Sequence, residues 1–177
     1  MTIPTLSRRE LLVAGAAGAA LLVLPRAGRA ASESELSPAA VALRDALEKS
    51  PLIYVCPLKK DGKEGTCHAE AWFVRDGADA IIVTAQDRWK ARAVSGGLDR
   101  ARLWVGDFGV WKDAGGKFKD APTFDAKAAF VKDPATQARI LEAYGKKYPA
   151  EWGKWGPRFH DGLADGSRVM IRYTPTA

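Results

Sequence analysis

The chain has 177 residues, of which 47% are hydrophobic and 27% are charged, and its net charge is +6. This length is sufficient for one domain with a substantial core. The sequence has no long block of like charge and no stripe of alternating basic and aromatic residues. These features argue against a nucleic-acid-binding protein, and we expect no nucleic-acid partner.

The first thirty residues have the layout of a secretory signal. Arg8 and Arg9 precede an uncharged run over residues 11–24, and the small residues Gly28 and Ala30 precede a cleavage site after position 30. The paired arginines resemble a twin-arginine signal, which implies export through the twin-arginine translocase to the periplasm or beyond. A membrane-spanning helix needs about 20 apolar residues, so we expect no stable membrane anchor after cleavage.

Cleavage divides the chain into a signal at 1–30, a short polar tether at 31–36 and one domain at 37–177. Without the signal, 23 basic and 20 acidic residues remain, so much of the basic excess belongs to the signal. The twin-arginine route carries folded cargo, which lets a cytoplasmic cofactor enter before export. The signal therefore favours a bound cofactor, although cofactor-free cargo also uses this route.

The domain is predicted to begin with a helix and a three-stranded antiparallel meander. Ser37 and Pro38 supply a cap and a first-turn proline for a helix over residues 39–49. Asp61 and Gly62 predict a two-residue hairpin turn. Short apolar or alternating runs predict the strands, at residues 52–58, 66–75 and 80–84.

The second half of the chain continues with strands and helices. Asp87 can cap a short helix over residues 88–94, and Asp133 with Pro134 predicts a helix over 134–147. Residues 149–167 are expected to form a loop with a short helix. Further extended segments are predicted at 100–106, 110–112, 123–131 and 168–173. Six or seven strands favour a mainly β (α+β) fold, an antiparallel barrel with peripheral helices.

Cys56 and Cys67 are the only cysteines and flank the predicted hairpin turn. With a two-residue loop, residues whose numbers sum to 123 lie opposite each other, so the two sulfurs would be within reach of a disulfide. An oxidising compartment favours that bond. The alternative is two reduced, buried cysteines.

The two histidines, His68 and His160, do not have the spacing of a zinc site, and the cysteines are too far apart for a Cys-x-x-Cys motif. We therefore predict no metal site. His68 and Glu70 share a strand face, and together they are either a ligand pair, a proton relay or simply a partly exposed pair on the sheet.

The run 68–77, followed by 81–84 and 88–92, resembles the flavin-binding split-barrel superfamily, which includes pyridoxamine 5'-phosphate oxidase-like proteins and deazaflavin-dependent reductases. The similarity spans about residues 37–112. It implies a homodimeric split barrel that holds the phosphate of FMN or of a deazaflavin coenzyme at the third strand and the turn after it. The matching positions are Thr84, Arg88, Lys90 and Arg92.

The chemistry of this segment suits a phosphate, which carries nearly two negative charges and favours a hydroxyl, cations and free amides. On a regular helix Arg88 and Arg92 share a face and Lys90 does not. We therefore expect Lys90 and Thr84 to make the main contacts with the phosphate, and Arg88 to be the next candidate. The alternative is that the three basic residues are the solvated side of a surface helix.

The resemblance implies an exported oxidoreductase that passes electrons to a small-molecule substrate. The C-terminal Arg/His pattern with which pyridoxamine oxidases hold the substrate phosphate is missing, so that substrate is not expected. The alternatives are a non-catalytic binding module for a flavin, haem or other planar ligand, and a cofactor-free barrel. Trp72 and Trp104 are expected in the core, whereas Trp89, Trp152 and Trp155 either pack in it or wall a flat ring.

Overall fold

A computed structural model describes residues 37–176, so the predicted signal and tether lie outside the described residues. The described part has four helices, α1 (Pro38–Lys49), α2 (Trp89–Ser95), α3 (Pro134–Lys147) and α4 (Pro149–Ala164). Its seven strands are β1 (Leu52–Pro57), β2 (Ala69–Trp72), β3 (Val74–Asp76), β4 (Asp79–Ala85), β5 (Arg100–Val105), β6 (Thr123–Phe130) and β7 (Arg168–Pro175). Over this range, none of the helices has the length and apolar character needed to cross a bilayer.

The seven strands form one antiparallel sheet in the order β2-β1-β5-β6-β7-β4-β3. β2 and β3 lie at opposite edges of this sheet, yet only Phe73 separates them in the chain. The sheet therefore curls until its edges meet, and the result is a nearly closed barrel with a seam. This confirms the predicted antiparallel split barrel.

The hydroxyl of Tyr148 supports the chain at the seam. It accepts a hydrogen bond from the Phe73 amide at 3.0 Å and lies 2.7 Å from the Phe73 carbonyl oxygen. Phe73 lies outside both strands, so its buried backbone groups need partners other than a strand ladder. The hydroxyl of Tyr144 lies 3.0 Å from the carbonyl oxygens of Trp72 and Ile81. Two tyrosines at the end of α3 thus satisfy backbone groups around the seam.

Alternate residues of the strands build separate apolar clusters on the two faces of the sheet. The barrel interior includes Ile53, Leu103 and Ile171, which are fully buried. On the outer face of β4 and β7, α3 and α4 cover a second cluster that includes Met170. A third cluster, centred on Tyr54, Trp104 and Phe118, fixes the loop that follows β5.

Two segments differ from their predicted structure. Residues 110–112 lie in a bend and turn rather than a strand. Residues 149–164, predicted to be mostly loop, form the 16-residue helix α4, which contains Pro157. Glycine and proline lower intrinsic helix propensity. Tertiary packing outweighs this here, because Phe159 and Gly156 are buried against α3 and the sheet.

The predicted hairpin register is wrong. The Gly62 amide donates to the Lys59 carbonyl at 2.9 Å and the Lys59 amide to the Lys63 carbonyl at 2.8 Å, so the loop has three residues and ends with Gly62 at φ 81°. Leu58 then bridges Glu64, whereas in the β1–β2 ladder Leu52 pairs with Trp72. The residue numbers of opposing positions therefore sum to 122 near the turn and to 124 in the ladder. The difference arises because the second strand of the hairpin has extra residues, which bulge out over 65–68.

Because of this bulge, Cys56 and Cys67 do not lie directly opposite each other. Cys56 is fully buried and its thiol donates to the Gly65 carbonyl at 3.4 Å, whereas Cys67 is exposed. Burial, with a smaller effect of the Glu64 carboxylate, raises the pKa of Cys56 to about 11. Both cysteines are free thiols in the structure, which agrees with the reduced alternative, although Cys67 is exposed rather than buried.

Candidate functional site

A cleft of about 710 Å³ opens at the end of β4, within the size range of small-molecule sites. Its walls come from segments far apart in the chain: residues 66–70 at the start of β2, residues 83–85 of β4, the turn into α2, the loop after β5, α4 and β7. Its polar and aromatic lining includes Thr84, Lys90, Trp111, Trp155 and Arg168.

Thr84 and Lys90, the two leading predicted residues, both line this cleft. Thr84 is only 6% exposed, and Lys90 is partly buried in the first turn of α2. Across residues 37–176 the Lys90 amine makes no hydrogen bond or ion pair, and its nearest aromatic ring is that of Trp89, with the centroid 5.3 Å from Nζ. Burial lowers the pKa of Lys90, and the Glu70 carboxylate opposes this effect. A cation without an ion-pair or hydrogen-bond partner among these residues, in the same cleft as a buried threonine, is well suited to an anionic ligand.

Arg88 and Arg92 are placed differently. Arg88 lines the cleft, but its side chain is 71% exposed and its Nε lies 3.9 Å from the Asp87 carboxylate. It caps α2 with an extended backbone rather than lying on the helix. Arg92 is exposed, and its guanidinium donates to the Asp87 carbonyl at 2.7 Å beside a separate groove. The structure thus brings Thr84, Arg88 and Lys90 together and leaves Arg92 outside the cleft.

Aromatic side chains form much of the cleft wall. Trp89, Trp111 and Trp155 line it. The Trp155 ring meets Trp72 edge to face, with centroids 6.1 Å apart, and the Arg168 guanidinium lies 6.0 Å from its centroid. Flat apolar walls with a few cations suit a planar ring that carries an anionic tail.

The other tryptophans pack against the protein. Trp104 is 3% exposed in the core, as predicted. Trp72 is partly buried and stacks on Tyr148 with centroids 4.7 Å apart. Trp152 stacks on Tyr144 between α3 and α4, so it does not wall the cleft.

Sequence reasoning missed Trp111 and Arg168. Trp111 fell in a segment predicted to be a strand, although its amide is held in the cleft wall by a 3.1 Å hydrogen bond to the Glu70 carboxylate. Arg168 lies opposite Ala85 in the β4–β7 ladder. No local signal indicates that pairing, because 83 positions separate the two residues.

The suggested pairing of His68 with Glu70 is not found. Glu70 holds Trp111, and the Nε2 atom of His68 lies 3.6 Å from the carboxylate of Glu64. Glu70 also lines the cleft beside Lys90.

Comparisons with known proteins identify the fold. No protein-family model matches the sequence, and no curated protein matches it. Similar solved structures include HutZ, a haem storage protein from Vibrio cholerae, at 16% identity over 76% of this chain and 88% of that chain, with a TM-score of 0.53. A putative pyridoxamine 5'-phosphate oxidase from Listeria innocua is 16% identical over 76% of this chain and 91% of that one, with a TM-score of 0.50.

A FAD-binding protein from Mesorhizobium loti is also similar, at 13% identity over 80% of this chain and 91% of that chain, with a TM-score of 0.50. At identities this low, likeness in structure establishes the fold and leaves function to the residues of the cleft. The chain therefore has the split-barrel fold.

Proposed function

We propose that this chain is an exported split-barrel oxidoreductase that binds FMN or a deazaflavin coenzyme in the cleft and acts on a small-molecule substrate. One observation carries the proposal: Lys90, whose amine makes no hydrogen bond or ion pair among residues 37–176, lines the same cleft as buried Thr84, and this cleft has tryptophan walls. The names of two similar structures, a FAD-binding protein and a putative pyridoxamine 5'-phosphate oxidase, support a flavin.

The residues of the cleft fit such a coenzyme. Lys90 and Thr84 would hold the phosphate, with the exposed Arg88 contributing less because water screens it. Trp111 and Trp155 would pack against the ring system and exclude water from it. When bound, the coenzyme supplies the electron-transfer chemistry, whereas the chain orients it and sets the charge around it.

The competing candidate is a binding module of the same fold that holds haem or another planar ligand without turnover. The similarity to a haem storage protein favours this candidate, and the aromatic cleft suits either ligand. The two candidates differ in ligand and in whether the bound group reacts.

Titration of FMN, of a deazaflavin coenzyme and of haemin into the full chain purified from cytoplasm separates the candidates. We expect saturable binding of FMN or the deazaflavin at one site per chain, followed through quenching of ligand fluorescence. Anaerobic reduction of the bound coenzyme and its reoxidation by added acceptors then tests for turnover. A chain that binds haemin alone, or none of the three ligands, contradicts the proposal.

Substitution Lys90→Ala tests the phosphate position directly. A hydrogen bond to a charged group contributes roughly 1.5–3 kcal/mol, so we expect FMN affinity to fall about ten- to hundredfold. Riboflavin lacks the phosphate, and its affinity should change little. The matched control is Arg92→Ala, which removes a cation outside the cleft. An equal loss for both ligands, or no loss for FMN, would remove Lys90 from the phosphate site.

The family resemblance also implies a homodimer, which we propose for the folded chain. Sedimentation velocity should give about twice the chain mass of 19.1 kDa. A sedimenting species of one chain at micromolar concentration would reject the dimer.

A further inference from the structure

Cys56, Glu64 and His68 form a second cluster of reactive side chains, where the β1–β2 hairpin packs on the loop after β5. The thiol sulfur, a carboxylate oxygen and an imidazole nitrogen all lie within 4.8 Å of one another. Cys56 is fully buried, and the side chains of Glu64 and His68 are 26% and 14% exposed. The three groups are those that a divalent metal of intermediate softness prefers.

His68 is the least satisfied member of this cluster. Its ring is held among Trp104, Trp111 and Phe118, with centroids 5.7–6.0 Å away. Its Nε2 atom is buried and makes no hydrogen bond with any residue in the range 37–176. The Glu64 carboxylate lies 3.6 Å from it, beyond hydrogen-bond length, and buried polar atoms are nearly always satisfied, so an ion between the two groups would supply the missing partner.

The other two ligand atoms are held in position. Lys119 Nζ donates to Glu64 at 2.7 Å and Arg102 lies 3.5 Å from its second oxygen. Partners of this kind orient a ligating carboxylate from outside the coordination sphere. The thiol of Cys56 is directed at the Gly65 carbonyl, 3.4 Å away in the bulge.

We propose that Cys56, Glu64 and His68 bind one zinc-type divalent ion through Sγ, a carboxylate oxygen and Nε2, with a fourth position open to water. Zinc distances of 2.0–2.3 Å to such ligands imply ligand separations of about 3.5 Å, so small side-chain rotations bring the three atoms together. The ion replaces the thiol proton, which leaves to solvent. His68 also lines the cleft, but all three ligands come from this chain, so zinc binding can be measured without the coenzyme proposed above. The hairpin bulge explains why the spacing of these residues along the chain does not reveal the site.

Metal binding by the full chain tests this site. The chain is stripped with a chelator, reloaded with excess zinc and dialysed to remove unbound metal, and we then expect one zinc ion per chain by elemental analysis. Cobalt(II) in its place should give the charge-transfer absorption of a thiolate ligand. His68→Gln and Glu64→Gln should each lower zinc affinity at least tenfold.

Matched controls use the remaining cysteine and histidine. Cys67→Ser and His160→Ala change residues of the same types outside the cluster, and both should keep full affinity. Circular dichroism checks that each variant folds. Wild-type protein without a thiolate-to-cobalt band overturns the proposal whatever the variants do. Undiminished zinc affinity in folded His68→Gln, or loss of affinity in Cys67→Ser, overturns the ligand set.

Discussion

At the residue scale, Asp76 at the end of β3 pairs with two arginines from other elements. Its Oδ1 lies 2.7 Å from Arg139 of α3 and its Oδ2 lies 2.9 Å from Arg172 of β7. The hydrogen bonds from Arg139 and then Arg172 lower its pKa to about 2, against the opposing effect of burial. One carboxylate thus ties a helix and a central strand to the edge of the sheet.

Replacement of Asp76 by Asn should therefore destabilise the fold in a pH-dependent way. The pKa is lowered from 3.8, so the unfolded chain binds more protons in this range and stability rises with pH. After allowance for solvent screening, we expect a loss of about 1 kcal/mol above pH 4 that vanishes as pH falls towards 2. Urea unfolding at several pH values measures it, with exposed Asp161→Asn as the control. A pH-independent difference would contradict the ion-pair origin.

At the scale of elements, α3 and α4 pack through the indole of Trp152. A Cβ added at Gly145 of α3 would lie 2.9 Å from its Nε1 atom, and a Cβ added at Gly156 of α4 would lie 2.9 Å from Cε2. The two glycines thus leave the space that the ring occupies between the helices. By contrast, a Cβ at Gly153 of α4 would meet no atom within 4 Å.

Alanine substitution at two positions of α4 should have opposite effects. Gly156→Ala forces the indole to shift, and overpacking of this kind costs about 1–3 kcal/mol. Gly153→Ala gains helix propensity without a clash and should stabilise by roughly 0.5–1 kcal/mol. Chemical unfolding followed by circular dichroism measures both. A gain at both positions would show that Trp152 does not limit the packing of α4.

At the scale of the whole molecule, curling of the sheet creates the cleft. β4 and the start of β2 belong to distant positions in the strand order, yet residues of both line the same cavity. α4 adds Trp155 and β7 adds Arg168. A planar ligand would therefore contact parts of the chain that meet only once the barrel is complete.

Export concerns the whole chain, and it is expected to depend on the paired arginines. Joint substitution Arg8→Lys and Arg9→Lys should leave the chain in the cytoplasm with residues 1–30 attached, because the twin-arginine translocase requires the arginine pair. Cell fractionation and the mass of the N-terminal peptide measure this outcome. Arg26→Lys with Arg29→Lys is the charge-matched control. Normal export of the first variant would contradict the twin-arginine assignment.

Signals between near neighbours in the sequence were enough to predict most of the helices and strands. Ser37 and Asp133 cap α1 and α3 as predicted, accepting hydrogen bonds from Ala40 and Thr136. Thr84 and Lys90 were identified because their segment resembles the phosphate-binding turn of split barrels and offers a hydroxyl and cations within a few residues. These signals involve residues that are close together in the sequence, so they can be recognised without knowledge of the tertiary structure.

Other features of the fold and of the candidate site follow only from tertiary contacts. Helix α4 forms despite its glycines and proline because its apolar face is buried, and Arg168 reaches the cleft through its pairing beside β4. The bulge after Gly65 takes Cys67 out of register with Cys56 and brings His68 within 3.6 Å of the Glu64 carboxylate. Strand register and burial depend on contacts between distant positions, and local composition does not encode those contacts.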